Sequence, residues 1–343
     1  MVKLLLFGDL HLRKGHLQQG ESTTEAVIAK SKEIRPDIIV LMGDVLHTHE
    51  MVYVKAFRLL EELIEYLRAI AKVYILVGNH DYINASENQT EEHPLGPFKK
   101  WKGVKVIDRL TLVEFENRKV VMSPYLPYGK FVSSLGKFLE GEEVDIDQVD
   151  LVLGHQPFLP VDPKAERWPD DYPLMFSGHI HDKCNPQENL YYTGSSCQVD
   201  HSEKPDKYAC LLVFGEGGVT EHKYLPLRVR SVHLEKVRVK DLDVSKLTKL
   251  TRNHDVRLII QGSREEKIAF EETKDARTVK ASGIKTTWEF DRSTRDLVGR
   301  GEEGHKGKRK DFENILLELI DRSEPRVKDA YSLIFGKVIT QVE

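Results

Sequence analysis

The chain has 343 residues, enough for two or three domains of ordinary size. Its 51 Lys and Arg residues nearly balance 55 Asp and Glu residues, and the formal net charge of −4 excludes a protein that is basic over its whole surface. The cysteines Cys184, Cys197 and Cys210 show no CxxC spacing and predict a reduced, cytoplasmic protein. The first residues lack a secretory cleavage site, and no apolar stretch approaches the roughly 20 residues that span a bilayer. We therefore expect a soluble protein without a membrane partner.

The first hundred residues alternate between strand and helix patterns. Continuous apolar runs at 3–7, 37–42 and 73–77 predict buried strands. Helical periodicity is present at 22–34 and 54–71. This alternation predicts a largely parallel α/β core.

The pattern changes after residue 104. Shorter runs at 104–122 predict a hairpin-like series of strands, and residues 131–139 predict a helix. Residues 156–173 are rich in Pro and Asp and are predicted to form a surface loop that is too polar for the core. A closing hairpin is predicted at 208–224.

A second composition begins near residue 227. Residues 228–292 predict a small α/β unit that includes one polar helix at 265–280. Residues 293–310 are charged and contain glycine, as is typical of a linker. Residues 311–343 predict two amphipathic helices whose apolar faces are too large for a free tail. The apolar residues expected to bind a partner are Phe312, Ile315, Leu316, Leu319, Leu333 and Ile334.

Polar residues follow the predicted strands at the point where each strand ends, next to a glycine. They are Asp9, His11, Asp44, His47, Asn79, His80, Asp81, His155, His179 and His181. Any one of them alone is better explained as a turn or capping residue. Ligand sites in open α/β sheets lie outside the carboxyl ends of strands, so these residues are expected to converge. Together, carboxylate, amide and imidazole groups match divalent metals of intermediate softness, and we predict a two-metal site.

The ligand types also indicate the chemistry. Carboxylate, imidazole and amide oxygen without thiolate suit Mn²⁺, Fe²⁺ or Zn²⁺ rather than a structural zinc site. Two such ions can activate water and bind the oxygens of a phosphoryl group. No Walker P-loop or GxGxxG motif accompanies the site, which disfavours nucleotide hydrolysis of that kind. Hydrolysis of a phosphate ester is the best-supported reaction class.

The motifs are Asp9-x-His11, Gly43-Asp44, Gly78-Asn79-His80-Asp81, Gly154-His155 and Gly178-His179-Ile180-His181. In this order they resemble the calcineurin-like metallophosphoesterases, whose pattern is DxH, GDxx, GNHD/E, GH and GHxH. Within that superfamily the chain looks most like the SbcD-type DNA double-strand-break repair nucleases, including phage recombination endonuclease subunits. His47, Pro124-Tyr125, Gly194-Ser195 and the domain order carry the narrower resemblance.

The resemblance implies a domain organisation and partners. It implies an α/β fold in which a metallophosphoesterase β-sandwich flanked by helices occupies 1–227. A small α/β cap that contacts DNA follows at 228–292, and a linker at 293–310 leads to a helical tail at 311–343. In that family the tail binds an SMC-like coiled-coil ATPase of SbcC type, and the nuclease domain forms a homodimer. It also implies Mn²⁺, DNA as substrate and the cytoplasm of a bacterial or phage-infected cell.

The resemblance also implies individual roles. One metal would be held by Asp9, His11, Asp44 and His181, and the other by Asp44, Asn79, His155 and His179, with Asp44 bridging. His80 would be the catalytic group that faces the phosphate. His47 would assist on the substrate side, and Asp81 would orient a neighbour. Arg13 departs from the family pattern, which often has glycine there.

Three functions remain open from the sequence. The first is a Mn²⁺-dependent DNA exonuclease or endonuclease that serves as the catalytic subunit of an ATPase–nuclease complex in recombination and repair. The alternative is a stand-alone metallophosphatase or cyclic-nucleotide phosphodiesterase, for which the cap and the apolar tail would be unnecessary. A non-enzymatic DNA-end scaffold is disfavoured because no predicted ligand is missing.

Overall fold

The described part of the chain covers residues 1–49, 51–82, 92–115, 117–215 and 217–290 of a computed structural model. Residues Met1–Phe290 form one compact unit. The predicted linker at 293–310 and the helical tail at 311–343, with all of its predicted partner-binding residues, lie outside the described residues.

The elements alternate between strands and helices along the chain. The strands are β1 (Val2–Phe7), β2 (Ile38–Leu41), β3 (Lys72–Leu76), β4 (Val104–Ile107), β5 (Thr111–Phe115), β6 (Arg118–Met122), β7 (Leu151–Gly154), β8 (Met175–Ser177), β9 (Cys184–Gln187), β10 (Leu190–Tyr192), β11 (Lys207–Gly215), β12 (Gly218–Leu227), β13 (Ser231–Arg238), β14 (His254–Gly262) and β15 (Lys285–Phe290). The helices are α1 (Leu17–Ile34), α2 (Val54–Arg68), α3 (Phe131–Gly141), α4 (Val244–Leu250), α5 (Arg264–Glu271) and α6 (Lys274–Ala281).

The first sheet has the strand order β12-β11-β1-β2-β3-β4. Strands β1 to β4 are parallel, and the β11–β12 hairpin pairs antiparallel to β1. The parallel core is therefore larger than the prediction from 3–77, because β4 belongs to it. Assigning residues 104–107 to a hairpin series was wrong, since a crossover through the 3-10 segment Gly96–Lys100 returns the chain parallel to β3.

The second sheet has the order β5-β6-β7-β8-β10-β9, with β6, β7, β8 and β10 parallel. Leu6 and Val40 of the first sheet pack in one buried cluster with Leu153 and Phe176 of the second. Helices α1 and α2 cover the outer face of the first sheet, and α3 covers that of the second. The predicted α/β sandwich flanked by helices is confirmed.

Residues 156–173 form an irregular loop, as predicted, but the expectation that the segment is too polar for the core is wrong at two aromatic residues. Phe158 and Trp168 are each 0% exposed. Both rings pack on Phe131 of α3, at centroid distances of 5.7 Å and 6.0 Å. The Glu166 carboxylate accepts hydrogen bonds from the backbone N of Phe131 (2.6 Å) and of Val132 (3.3 Å), at the start of α3. The polar composition of the segment therefore does not reveal that two of its aromatic side chains are buried.

The small sheet, formed by the parallel strands β13, β14 and β15, has a core of its own. The buried face of β14 carries Val256, Leu258 and Ile260, and α4, α5 and α6 pack in the same cluster. The single helix expected at 265–280 is wrong, because the chain breaks between α5 and α6. The first helix ends at Glu271, and Thr273 caps the second, since its Oγ1 accepts a hydrogen bond from Ala276 N (3.1 Å).

Among the described residues, none of the helices has the length and apolar character needed to cross a membrane.

We expect Trp168→Ala to lower the free energy of unfolding by about 3–5 kcal/mol, because it removes a fully buried ring from the core. Urea denaturation followed by circular dichroism measures the change. The control is Arg167→Ala, whose side chain is 65% exposed; it should alter stability by no more than about 0.5 kcal/mol. A loss below about 1 kcal/mol for Trp168→Ala would contradict the core role of the segment.

Candidate metal centre

The carboxyl ends of strands from both sheets bring the predicted site residues together. Asp9 and His11 follow β1, Asp44 and His47 follow β2, Asn79 and His80 follow β3, His155 follows β7, and His179 and His181 follow β8. Asp9, His11, Asp44 and His155 are each no more than 3% exposed. The site therefore lies between the two sheets, and both contribute to it.

The first group of donor atoms comes from Asp9, His11 and His181. The Nε2 atoms of His11 and His181 lie 3.1 Å apart. Asp9 Oδ2 lies 3.5 Å from His181 Nε2, and Asp44 Oδ2 lies 3.7 Å from His11 Nε2. Two carboxylate oxygens and two ring nitrogens thus surround one small volume.

The second group comes from Asp44, His155 and His179, with Asn79 beside them. Asp44 Oδ2 lies 3.3 Å from His155 Nε2. Asn79 Oδ1 lies 3.2 Å from His155 Nε2 and 2.9 Å from His179 Nδ1. Asp44 Oδ2 lies within 3.7 Å of a ring nitrogen from each group, so it would be the carboxylate shared by two bound cations.

The donor atoms fit divalent cations. Asp9 Oδ2 is buried and accepts no hydrogen bond from any described residue. Leaving such an oxygen unpaired is costly, and a cation would satisfy it. The set contains oxygen and imidazole donors without thiolate, which suits Mn²⁺, Fe²⁺ or Zn²⁺. These His and Asp groups indicate a dinuclear site for divalent metal ions.

Burial and charge set the protonation of the donors. Burial, helped by His155, lowers the pKa of His179 to about 3, and burial lowers that of His11 well below its usual range. For Asp44, burial opposes ionisation, but the charge and the hydrogen bond of His155 outweigh it and hold the pKa below its usual range. Neutral His11 and His179 rings and an ionised Asp44 carboxylate are the states that metal binding requires. Burial opposes protonation of His155, but the charges of Asp44 and Asp9 outweigh it and raise its pKa to about 9, so a bound cation would have to displace that proton.

Three of the predicted ligands have strained backbones. His11, Asp44 and His179 have φ angles of 44°, 48° and 74°, in the left-handed region that non-glycine residues rarely adopt. Such strain costs on the order of 1–3 kcal/mol per residue and concentrates at functional sites. It turns each side chain sharply out of the end of its strand.

One motif glycine is required by a close approach. A Cβ atom on Gly78 would lie 2.2 Å from Asp44 Oδ1, so only glycine lets the β3 exit pass beside the shared carboxylate.

Outer contacts orient the rings. His155 Nδ1 donates to the Met42 carbonyl (2.7 Å), and His181 Nδ1 lies 2.8 Å from Glu203 Oε1. Each of these contacts assigns a proton to Nδ1 and directs Nε2 toward the site.

His80 lies at the edge of the donor groups, in a stack of imidazoles. Its ring lies between His47 and His49, at centroid distances of 5.3 Å and 4.9 Å. Its backbone N donates to Asp44 Oδ1 (2.8 Å), and its Nδ1 lies 2.9 Å from the His47 carbonyl. His47 Nδ1 in turn lies 3.1 Å from His11 Nδ1.

Asp81 is fully buried and contacts backbone rather than the donor groups. Its carboxylate accepts hydrogen bonds from the backbone N of Gly78 (3.0 Å), Leu46 (3.0 Å) and Val45 (3.3 Å). It therefore ties the β2 and β3 exit loops together.

The sequence interpretation missed Glu203 and Lys207. Besides His181, the Glu203 carboxylate accepts hydrogen bonds from Lys207 Nζ (2.8 Å) and the backbone N of Val199 (3.0 Å). Lys207 is 3% exposed, and its Nζ also donates to Ser195 Oγ (2.9 Å). The only signal in the sequence is a Glu–Lys pair at i,i+4, which is common on solvated surfaces.

A sequence profile of the calcineurin-like phosphoesterases matches residues 2–183. The chain belongs to this family. The superfamily part of the predicted resemblance is confirmed, and the protein is a metal-dependent phosphoesterase, a hydrolase.

Two viral proteins that are provisionally named phosphoesterases are similar to this calcineurin-like phosphoesterase. The 244L protein of Invertebrate iridescent virus 6 is 30% identical over 284 residues, which cover 79% of this chain and 98% of that protein. The 078R protein of Invertebrate iridescent virus 3 is 28% identical over 300 residues, covering 85% and 86%. The DNA double-strand break repair protein Mre11 of Methanocaldococcus jannaschii is 29% identical over 193 residues, covering 52% of this chain and 50% of that protein.

We expect Lys207→Met to destabilise this phosphoesterase by about 3 kcal/mol, because it leaves the Glu203 carboxylate without its buried cation. Thermal and urea unfolding measure the loss. Lys204→Met removes an exposed charge from the same segment and serves as the matched control. Equal stability of the two variants would show that the buried pair has no structural role.

Proposed function

We propose that this phosphoesterase is a metal-dependent DNA nuclease that hydrolyses phosphodiester bonds in recombination and repair. The observation that carries the proposal is the small sheet joined to the sandwich near the metal centre. Val232 N donates to Gln198 Oε1 (2.7 Å), and Arg230 N donates to Ser22 Oγ (3.0 Å). The donor groups are complete without this sheet. Its added surface therefore suits a substrate larger than a simple phosphate ester.

The similarity to Mre11 supports the same proposal, because that protein is described as acting in DNA double-strand break repair. It covers only half of each chain, so the geometry beside the metal centre carries more of the argument.

In this proposal the cation ligands fall into the two observed groups. Asp9, His11, Asp44 and His181 would hold one ion, and Asp44, Asn79, His155 and His179 would hold the other. When bound, the two cations supply Lewis-acid stabilisation of the charge that develops on the phosphoryl oxygens. Mn²⁺ is the proposed native metal.

His80 is the proposed catalytic residue. Its Nδ1–H is held by the His47 carbonyl at 2.9 Å, so Nε2 is the atom that gains and delivers a proton. Delivery to the leaving oxygen returns the ring to its neutral, Nδ1-protonated form. A positioned acid of this kind contributes about 10²–10⁴-fold to the rate. His47 is proposed to assist on the substrate side, and Asp81 keeps the two exit loops in register.

We further propose that the tail at 311–343 binds an SMC-like coiled-coil ATPase and that the nuclease domain forms a homodimer. The apolar tail residues of the sequence support the first part. DNA access would then depend on the ATPase partner.

A stand-alone phosphoesterase is the second candidate. The viral phosphoesterases match over 98% and 86% of their own lengths, so the similarity extends over most of each of those proteins. In that case, monoesters or small diesters would be the substrates.

One assay separates the two candidates. We expect the full chain with Mn²⁺ to degrade linear duplex DNA or single strands, more strongly when the ATPase partner is added. p-Nitrophenyl phosphate is tested in parallel. Rapid turnover of that monoester, with no DNA degradation in either condition, would favour the stand-alone phosphoesterase and overturn the nuclease.

We expect Asp44→Ala to lose metal because it removes the carboxylate shared by both groups. His80→Ala should keep both ions and lower hydrolysis by about 10²–10⁴-fold. Metal content by mass spectrometry and hydrolysis rates measure the two effects. His201→Ala, an exposed histidine with a 45% exposed side chain, is the control. A metal-free His80→Ala protein would refute the assignment of His80 as catalytic rather than ligating.

A further inference from the structure

A cavity of about 180 Å³ lies between the loop after β1 and the small sheet. Its lining includes Gly15, His16, Arg230, Asp255, Arg257 and Lys285. The same loop carries His11 of the metal centre. Five residues of chain span at most about 18 Å, so the cavity wall at His16 lies within that distance of His11.

The acidic group of the cavity is already neutralised. The Asp255 carboxylate accepts a hydrogen bond from Arg230 Nε (3.2 Å) and lies 3.4 Å from His16 Nδ1. Arg230 also donates to the carbonyls of Thr251 (2.7 Å) and His254 (2.9 Å). Arg230 and Asp255 therefore serve the structure, and neither is available to a ligand.

Arg257 and Lys285 remain without an acidic partner. They are register partners on β14 and β15, so their side chains share one face of the small sheet. Within the described ranges, Arg257 forms no hydrogen bond or ion pair. Lys285 Nζ donates to the Gly15 carbonyl and lies 2.9 Å from His16 Nε2, with no carboxylate in ion-pair contact in the described chain.

Arg13 connects these charges to the metal centre. Its Nη1 lies 3.3 Å from His47 Nε2, and its Nη2 donates to the Val199 carbonyl (2.7 Å). No described carboxylate pairs with it. Burial lowers the pKa of Arg13; nearby acidic groups oppose this shift, and the positive charge of Arg257 adds to it. Burial lowers the pKa of Lys285; the charge of Asp255 opposes this shift, and Arg257 and Arg13 add to it.

Three cationic side chains that have no carboxylate in ion-pair contact within the described chain form a favourable site for an anion. The protein as a whole has a formal charge of −4, so this local excess of positive charge is not a consequence of its composition. Phosphate is the anion already required at the adjacent metal centre. One DNA strand presents a phosphate about every 3.4 Å along the helix axis, so a few nucleotides would cover the distance from His11 to the cavity.

We propose that Arg13, Arg257 and Lys285 bind non-scissile phosphates of a nucleic-acid strand whose neighbouring phosphodiester lies in the metal centre. This inference rests on the proposed nuclease function and adds the position of the strand. The strand leaves the metal centre past Arg13 and runs along the loop after β1 to the exposed face of β14 and β15.

The test compares substrates of increasing length, using the full chain with Mn²⁺. The substrates are bis(p-nitrophenyl) phosphate, the p-nitrophenyl ester of thymidine 5′-monophosphate, and oligonucleotides of two to twelve nucleotides. The variants are Arg257→Gln and Lys285→Gln. Arg277→Gln is the matched control, because it removes the same charge from α6, whose Val279 packs into the core on the covered side of the small sheet.

For the longer oligonucleotides, we expect each variant to raise KM on the order of tenfold, since one charge-assisted contact is lost, with kcat within about twofold. The slope of log KM against log salt should fall by about 0.7 for each lost contact to a single strand. Neither small substrate should be affected, because neither carries a second phosphate. Arg277→Gln should match the unmodified protein on every substrate.

Each of the other possible outcomes would refute one part of the proposal. Unchanged KM on long oligonucleotides in both variants would refute the phosphate-binding row while leaving the nuclease intact. Equal losses on all substrates would place the effect at the metal centre instead. A loss already present with the thymidine ester would assign the cavity to a mononucleotide rather than a strand. Hydrolysis of bis(p-nitrophenyl) phosphate without cleavage of any oligonucleotide by the unmodified protein would overturn the nuclease proposal itself, and the inference with it.

Discussion

The shared carboxylate of Asp44 is the interaction on which the rest of the site depends. Its Oδ2 lies 3.3 Å from His155 Nε2 and 3.7 Å from His11 Nε2, while its Oδ1 accepts the backbone N–H of His80. A buried anion with this many neighbours is tolerable only among cations and donors. The positive φ angle of Asp44 and the absence of a side chain at Gly78 both make room for this carboxylate. Both donor groups therefore form around one side chain.

Much of the site was predictable because metal chemistry restricts residue types and parallel strands restrict positions. Asp9, Asp44 and His155 could be found from strand ends alone, since the carboxyl ends of neighbouring strands share one edge. Glu203 could not, because it approaches His181 from an irregular segment with no periodic pattern. A carboxylate that orients a metal-ligating ring has no fixed sequence spacing from it. Such partners become visible only in three dimensions.

The same holds for the fold: features with a repeating sequence pattern could be predicted, and features that depend on tertiary contacts could not. Strand and helix periodicity predicted the parallel α/β core, because apolar positions repeat along the chain. The sandwich was predicted only from the resemblance to the calcineurin-like metallophosphoesterases. The burial of Trp168 was not predicted, because a single aromatic residue in a polar segment produces no periodic pattern. The break at Thr273 was hidden because the polar residues on both sides of it favour helix equally, and the hydroxyl cap that separates α5 from α6 is a single-residue signal. The parallel placement of β4 depends on a crossover rather than on its own composition.

The division of the donor groups between two sheets has a thermodynamic consequence. Asp9, Asp44 and Asn79 belong to exits of the first sheet, and His155 and His179 belong to exits of the second. Cations bound by both sets would act as a cross-link between the layers, in the way that a disulfide joins two segments. Such binding favours the folded state by RT ln(1 + [L]/Kd), which is about 2.7 kcal/mol when free metal is 100 times Kd. The stability of the sandwich would then depend in part on the free metal concentration of the cell. Metal depletion would destabilise the protein as well as inactivate it.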